Sequence, residues 1–357
     1  MISPHEMIEK YGGLVDQAMQ SWFKEHPSTI PAYAMAEYHL GWRDETLKQM
    51  KSPQGKMLRP VLTLLSYQVF REDFEKAVPL ACAIELYHNH TLIFDDMQDG
   101  DEFRRGRKTV WNLWGIGQGI NAGLILGYLA YEFALQLEKP EKPGHFPFKI
   151  QSMFKHLNEA MLEVAEGQSL DLDFEIKTDV PPDRYLEMIG KKTGALISLC
   201  TFGGAFLAQD NDAISEKFKM FGRKLGVAMQ IRDDLIGIWG ASKASGKEEA
   251  KDLRRKKKTF PIFKAFTSLK GNDLELLRNY FHDSAPPEDA VVSKIVAIFE
   301  QKGVREACEK EAAALMSDVF STLHESGIDS GRLTQLEAFS RHAFDTIGTL
   351  RQVASHA

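Results

Sequence analysis

Two runs of aspartate carry the first chemical signal. One is Leu92-Ile93-Phe94-Asp95-Asp96-Met97-Gln98-Asp99, an apolar stretch that ends in three acids. Asp95 and Asp99 are four apart, so on a helix their carboxylates share a face one turn apart. Like charges at that spacing repel, and burial beside an apolar segment adds to the cost unless cations compensate. The other run is Met229-Gln230-Ile231-Arg232-Asp233-Asp234-Leu235-Ile236-Gly237. Adjacent acids again end an apolar run, but glycine stands at 237, so this cluster offers fewer carboxylates. A lone Asp-Asp pair is commonly a helix-end charge or a cap; two such pairs in apolar helical runs point to a metal site. Magnesium suits it, because it takes oxygen ligands, keeps several waters, and combines one or two carboxylates with substrate phosphates. Asp95, Asp96, Asp99, Asp233 and Asp234 are therefore the expected metal residues.

Cations stand beside the acids. Phe103-Arg104-Arg105-Gly106-Arg107-Lys108 follows the first cluster directly. Arginine forks match phosphate oxygens, and Gly106 lets the chain turn beside them. Upstream lies Gly55-Lys56-Met57-Leu58-Arg59-Pro60, with Lys56 and Arg59 expected on one face of a helix start. Lys191-Lys192-Thr193-Gly194, Gly246-Lys247 and the run from Lys251 to Lys258 complete the set. A basic run alone resembles a nucleic-acid patch. The net charge of −6 and the lack of interleaved aromatics argue against a nucleic-acid partner. Separated basic sites with two acidic metal sites fit diphosphates, metal bridging carboxylate to phosphate while Arg and Lys neutralise the rest.

The elements that must hold these groups are helices. Apolar residues recur at spacings of three and four over 7–25, 33–50, 57–71, 74–98, 110–138, 148–174, 183–208, 213–240, 259–269, 273–282, 289–301, 303–326 and 331–354. Strand-like alternation is scarce. The periodicity predicts an all-α protein and one domain over 1–357, with 43% apolar residues for its core. Loops are expected at 139–144, 181–183, 241–258 and 284–287. Cys82, Cys200 and Cys308 are few and scattered, which fits neither a disulfide framework nor a CxxC metal site and suggests a reducing compartment. Glu6, Glu9 and Asp16 leave no signal or transit pattern at the start. The uncharged stretch Gly194–Ala208 falls short of the ~20 residues of a membrane span. A soluble, cytoplasmic protein without a transmembrane segment is expected.

In order and spacing, six motifs resemble those of the trans-isoprenyl diphosphate synthases, which make farnesyl, geranylgeranyl and longer polyprenyl diphosphates. They are Gly-Lys-x-x-Arg-Pro at 55–60, the Asp-rich motif at 95–99, Arg-Arg-Gly at 104–106, Gly-Gln-x-x-Asp-Leu at 167–172, Lys-Thr-Gly at 192–194 and Gln-x-x-Asp-Asp at 230–234. The resemblance covers residues 50–265 closely. It implies an antiparallel helical bundle around a deep pocket, commonly a homodimer, and three magnesium ions with the substrate diphosphate. Carried over by position, Lys56, Arg59, His88 and Arg105 would bind the diphosphate of isopentenyl diphosphate. Asp95 and Asp99 would hold two magnesium ions on the allylic diphosphate and Asp233 a third, with Arg104, Lys192, Lys247 and Lys257 touching that diphosphate. Gln168, Asp171, Thr193 and Gln230 would support the site.

The chain departs from the family pattern in places. Gly237 replaces the third acid of the second motif, Lys256 replaces the glycine usual before Lys257, and Phe94 replaces a histidine common before the first Asp pair. Product length is expected to depend on Tyr87, His90 and Thr91 below the first motif. A single bulky residue there leans towards geranylgeranyl diphosphate, with farnesyl close behind. The weakened second motif leaves a class I terpene cyclase as an alternative, and Asn211-Asp212-Ala213-Ile214-Ser215 is a near miss to a cyclase metal motif that helix capping also explains. A non-catalytic regulatory subunit is the other alternative.

Overall fold

The apolar periodicity becomes helix nearly throughout the computed structural model, which describes residues 2–50, 55–137, 148–177, 180–240, 250–283 and 285–346. α1 (Pro4–Met7) passes through a π-helical turn at Ile8–Gly12 into α2 (Gly13–Glu25), followed by α3 (Pro31–Leu40), α4 (Leu58–Gln68) and α5 (Val78–Gln98). A two-residue antiparallel hairpin, β1 (Phe103–Arg104) and β2 (Arg107–Lys108), leads to α6 (Val110–Trp114), α7 (Ile116–Ala134) and α8 (Phe148–Glu175). Then come α9 (Pro182–Ile189), α10 (Ala195–Ala208), α11 (Asp212–Trp239), α12 (Lys251–Arg254), α13 (Phe260–Ser268), α14 (Gly271–His282), α15 (Asp289–Gln301), α16 (Val304–His324) and α17 (Ser330–Thr346).

Two apolar clusters form the core. The larger gathers α4, α5, α7, α10 and the first part of α11; the smaller gathers α9, the rest of α11 and α13 to α16, and Leu315 and Phe344 pack against both. α10 is buried along nearly its whole length, as an all-round apolar helix must be. α5 and α7 lie close because α7 presents glycines to α5. A Cβ on Gly123 would stand 2.7 Å from the Phe94 ring, and one on Gly127 2.9 Å from His90 Nδ1. Phe94 and His90 thus fill slots in α7.

Several expected boundaries shift. The stretch 33–50 is helical only to Leu40, because Gly41 adopts φ 90° and caps α3; an isolated Arg43–Gln49 bridge closes the next turn. Gly115, at φ 84°, divides 110–138 into α6 and α7. The loop expected over 241–258 contains the single turn α12, while 241–249, and Lys247 with them, fall outside the described residues. Residues 182–208 form one helix interrupted by a π-helical turn at Gly190–Gly194. Thr109 to Tyr131 carries no charge, and among the described residues Ile116–Leu137 is the helix long and apolar enough to cross a membrane, with 44% of its most apolar window buried. Its glycine face packs on α5 as a core helix does. The transmembrane expectation rested on a shorter stretch and overlooked this one.

Candidate active site

α5 delivers Asp95, Asp96 and Asp99 at its C-terminal end, where helix carbonyls already carry partial negative charge. Acids there need cations, and the structure supplies them. Lys192 Nζ lies 2.5 Å from Asp171 and 3.2 Å from Asp95. Arg104 reaches Asp95 at 3.5 Å and Asp96 at 2.5 Å.

Lys192 gets there through local backbone choices. It sits on the π-helical turn at Gly190–Gly194, a bulge type often found at functional sites. Arg223 donates to the Gly190 carbonyl at 2.7 Å. Gly167 on α8 is required opposite, because a Cβ there would come within 2.6 Å of the Lys192 Cα. The Gly-Gln-x-x-Asp motif is thus legible as a docking device: Gly167 admits the bulge, and Asp171 one helical turn on receives the lysine.

Two lysines join the first acid run electrostatically to Asp171 and Asp252. Burial works to lower the Lys257 pKa, but Asp171, Asp99, Asp252 and Asp95 outweigh it and raise it. Lys192 follows the same pattern, Asp95 and Asp171 overcoming its desolvation. Desolvation between the cleft walls, then the Asp95 charge, push Asp99 up to about 6.

Two of the five expected metal residues are placed otherwise. Asp96 is buried, its carboxylate engaged by Arg104. Desolvation pushes it up to about 6 despite that arginine. Asp234 is buried too, and accepts from the Tyr185 hydroxyl, from Gln230 Nε2 at 3.0 Å and from the Phe260 amide at 3.1 Å. Burial pushes it up to about 7. The physical reason is helix geometry: adjacent residues point about 100° apart, so only one acid of each pair faces the cleft. Asp95 and Asp99 remain beside the cleft cations, Asp233 stays exposed on α11, and Asp96 and Asp234 hold the surrounding walls. Thr193 completes one wall by donating to Gln230 Oε1 at 2.9 Å.

A second pocket is basic. Arg59, in the first turn of α4, meets His88 on α5 with Nη1 2.9 Å from Nε2. Arginine cannot accept, so His88 takes the bond as a neutral ring. Burial, then the Arg59 charge, hold His88 well below its ordinary value. Arg59 Nε is buried and has no hydrogen-bond partner among the described residues, an arrangement that invites an anion. Lys56 is not on the helix face expected for it, because Met57 adopts φ 48° just before α4 begins. Its ammonium instead reaches the Thr346 carbonyl at 3.3 Å, at the end of α17. Arg105 stands at the hairpin turn with φ 54°, beside Gly106 at 78°, and its guanidinium packs against Gly55, where a Cβ would approach it to 2.9 Å.

Tyr87, His90 and Thr91 separate. Tyr87 is buried and stands edge-on to Tyr131 at 5.4 Å. His90 is 2.7 Å from the Gly123 carbonyl, and Thr91 bonds back to the His88 carbonyl at 2.8 Å.

Sequence reasoning missed Tyr185, which anchors Asp234, and Glu85 with Asn89, a buried pair 3.0 Å apart below the basic pocket. Burial raises Glu85, while Arg59 and Arg105 act against that rise. A buried acid in an apolar helix was the available signal for Glu85; nothing local marked Tyr185. The Asn211 near miss is a helix cap, its side chain accepting from the amides of Ala213 and Ile214.

No group of three or more acidic, His or Cys side chains among the described residues forms a preassembled metal cage. The donor set still fits magnesium. Asp95, Asp99 and Asp171 are all-oxygen donors, and the Lys192 ammonium between Asp95 and Asp171 marks where positive charge is favoured. Two or three carboxylates with room for water and phosphate match the sparse protein ligation usual for that ion.

The family model described as Polyprenyl synthetase matches residues 41–299. The chain is 38% identical over 228 residues to a (2E,6E)-farnesyl diphosphate synthase of Mycobacterium tuberculosis, covering 64% of this chain and 61% of that relative's length. It is 33% identical over 307 residues to a short chain isoprenyl diphosphate synthase of Methanothermobacter thermautotrophicus, covering 86% and 87%. The crystal structure of a polyprenyl synthetase from Streptomyces coelicolor A3(2) superposes with TM-score 0.86 at 30% identity, over 95% of this chain and 99% of that one. The chain belongs to the polyprenyl synthetase family, and its fold is the all-α isoprenoid synthase fold.

Proposed function

We propose that this chain is a prenyltransferase that condenses isopentenyl diphosphate with an allylic diphosphate, head to tail, to give a short-chain isoprenyl diphosphate. The carrying observation is that two anion sites of different character adjoin on α5. The acidic cleft of Asp95, Asp99, Asp171 and Asp233 suits a diphosphate that arrives with magnesium. The pocket of Arg59, His88 and Arg105 suits one that arrives without it, and Lys56 would join it on leaving the Thr346 carbonyl. Two such sites call for two substrates, which favours condensation over cyclisation of a single one. Retention of the cleft acids disfavours the regulatory subunit.

Magnesium, three ions in this reading, would supply neutralisation of the departing diphosphate. Asp95, Asp99 and Asp233 would hold the ions, and Lys192, Lys257 and Lys247 would take the remaining phosphate charge. Arg104 would serve by fixing Asp95 and Asp96. Arg59, through its free Nε, would orient isopentenyl diphosphate so that its alkene meets the allylic carbon as that carbon loses its leaving group. The released diphosphate, held against these cations, would accept the proton lost from the new chain.

A product of geranylgeranyl length, with farnesyl next, fits the modest size of His90 and Thr91. Buried, unpaired Cys82, Cys200 and Cys308 fit a reducing, cytoplasmic setting, and one continuous domain fits the contacts shared between the two core clusters. A homodimer is supported by α7, which exposes Ile116, Ile120, Leu124 and Tyr128 at four-residue intervals, with Leu162 of α8 65% exposed. Such an apolar stripe on a long helix suits burial against a second copy.

The test is a product assay with purified protein and magnesium. Each of the C5, C10, C15 and C20 allylic diphosphates is supplied with and without isopentenyl diphosphate. Longer prenyl alcohols after dephosphorylation, formed only with isopentenyl diphosphate, are expected. Cyclic hydrocarbons formed without it would replace this reading with a cyclase, and no product with any primer would overturn catalysis.

A further inference from the structure

Lys192 reaches the first acid run from a π-helical turn, and that turn is clamped between two helices. On α8, Glu163, Gly167 and Asp171 recur every four residues, so they share one face. Lys192 pairs with Asp171 at 2.5 Å, and Lys191 pairs with Glu166. A Cβ on Gly167 would stand 2.2 Å from the Lys192 nitrogen, a contact with backbone and not with a movable side-chain end. On α11, Arg223, Gly226 and Gln230 follow at spacings of three and four. Gln230 accepts from Thr193 at 2.9 Å, and a Cβ on Gly226 would lie 2.7 Å from the Gly194 Cα.

Arg223 joins the three parts. Its Nη1 donates to the Gly190 carbonyl at 2.7 Å, and its Nη2 donates to the Glu163 carboxylate. A π-helical turn breaks the regular ladder, and a carbonyl at such a break needs a donor from outside. The planar guanidinium fork can serve two acceptors at once, which an ammonium does less well. Arg223 and Glu163 line a cavity between α8, α10 and α11 that includes none of the cleft acids or cations. Arg223 therefore stands apart from the diphosphates and reaches them only through the turn.

We propose that Arg223 is a positioning residue for Lys192. By tying Gly190 to Glu163 it fixes the start of the π-helical turn, and with it the place from which the Lys192 ammonium meets the allylic diphosphate. Glu163 shares the task, because its carboxylate aims the guanidinium. The proposal rests on the reading of Lys192 as a diphosphate ligand. Asp171 still attracts Lys192 when the fork is lost, so the cost is smaller than that of losing the lysine itself.

The test is a double-variant cycle in steady-state condensation by the full-length protein with magnesium, isopentenyl diphosphate and the allylic diphosphate that the parent uses fastest. Unfolding midpoints are measured alongside, and rates are taken where every variant is folded. The variants are Arg223→Gln, Arg223→Lys, Glu163→Gln, Lys192→Met and Arg223→Gln/Lys192→Met. Lys192→Met is expected to lower kcat about 100-fold. Arg223→Gln should lower it about tenfold, with KM for isopentenyl diphosphate within about twofold of the parent. Arg223→Lys and Glu163→Gln should fall between the parent and Arg223→Gln. The double variant should match Lys192→Met within about threefold, since nothing is left to position once the lysine is gone. A double variant about tenfold below Lys192→Met would mean independent losses and would overturn the role of Arg223. So would a parental kcat in Arg223→Gln. Should Arg223→Gln not fold, Glu163→Gln takes its place in the cycle and is read in the same way. A parental kcat in Lys192→Met, or a parent that forms no condensation product, would overturn the underlying reading, and this proposal with it.

Discussion

The two acid runs look alike in sequence and are built differently. In the first, α5 ends at the run, so Asp95 and Asp99 stand at a helix terminus, where Asp95 meets cations from the π-helical turn and the hairpin. In the second, α11 continues past Asp233 to Trp239. Its second acid is sealed under Tyr185, Gln230 and Phe260. A terminus exposes one flank of every residue in its last turn, whereas a helix that runs on must bury the residues facing its neighbours. The first run therefore offers two cleft acids and the second only one.

That contrast can be broken most severely at Asp95. Asp95→Asn should lower turnover on the order of 10³-fold, because it removes a cleft carboxylate that two cations already address. Asp233→Asn should cost less, roughly 10–100-fold. Steady-state kinetics of the pair decide it, and equal losses would show the two runs to be equivalent.

The basic pocket separates next. Arg59→Gln should raise KM for isopentenyl diphosphate roughly 30-fold, as expected for one lost charge-assisted hydrogen bond of about 2 kcal/mol. KM for the allylic substrate should change little. A parallel rise in both would merge the two sites.

Tyr185→Phe sharpens the contrast from the scaffold side. Deleting the hydroxyl leaves Asp234 buried with one donor fewer, so stability should fall by about 1–2 kcal/mol in a denaturant titration. The same stability in parent and variant would mean that Asp234 is not held through Tyr185.

The smallest effect concerns His88. Its folded pKa lies well below the ordinary 6.5 because of burial and Arg59, so the unfolded chain binds the proton first as pH falls. Its contribution is complete above about pH 6.5 and is lost on acidification. His88→Gln keeps an acceptor for Arg59 and cannot titrate. Between pH 7 and 5.5 the parent's unfolding midpoint should drop a few degrees more than the variant's. Parallel curves would place the acid sensitivity elsewhere.

Lys256 shows how far one local departure reaches. It occupies a glycine position of the family and adopts φ 53°, a region that costs a side-chain-bearing residue roughly 1–2 kcal/mol. Its ammonium is tethered to the Asp283 and Ala285 carbonyls and lies 5.3 Å from the Tyr280 ring, contacts that a glycine would not make. The sequence marked the oddity, and only the neighbours from α14 onwards account for it.

The sequence by itself determined the helices, because period-3.6 apolar spacing leaves few other ways to bury that surface. It also determined which residue types gather at the cleft, since the acids at α5's end and the phosphate-matching arginines follow in fixed order along the chain. It did not determine which acid of each pair faces the cleft, that Lys56 leaves the helix, or that Arg223 reaches the Gly190 carbonyl. Those depend on rotation about helix axes, on single left-handed residues such as Met57, and on contacts between segments far apart in the chain. Tertiary packing alone decided them, because a side chain's direction is set by what the neighbouring helices leave room for.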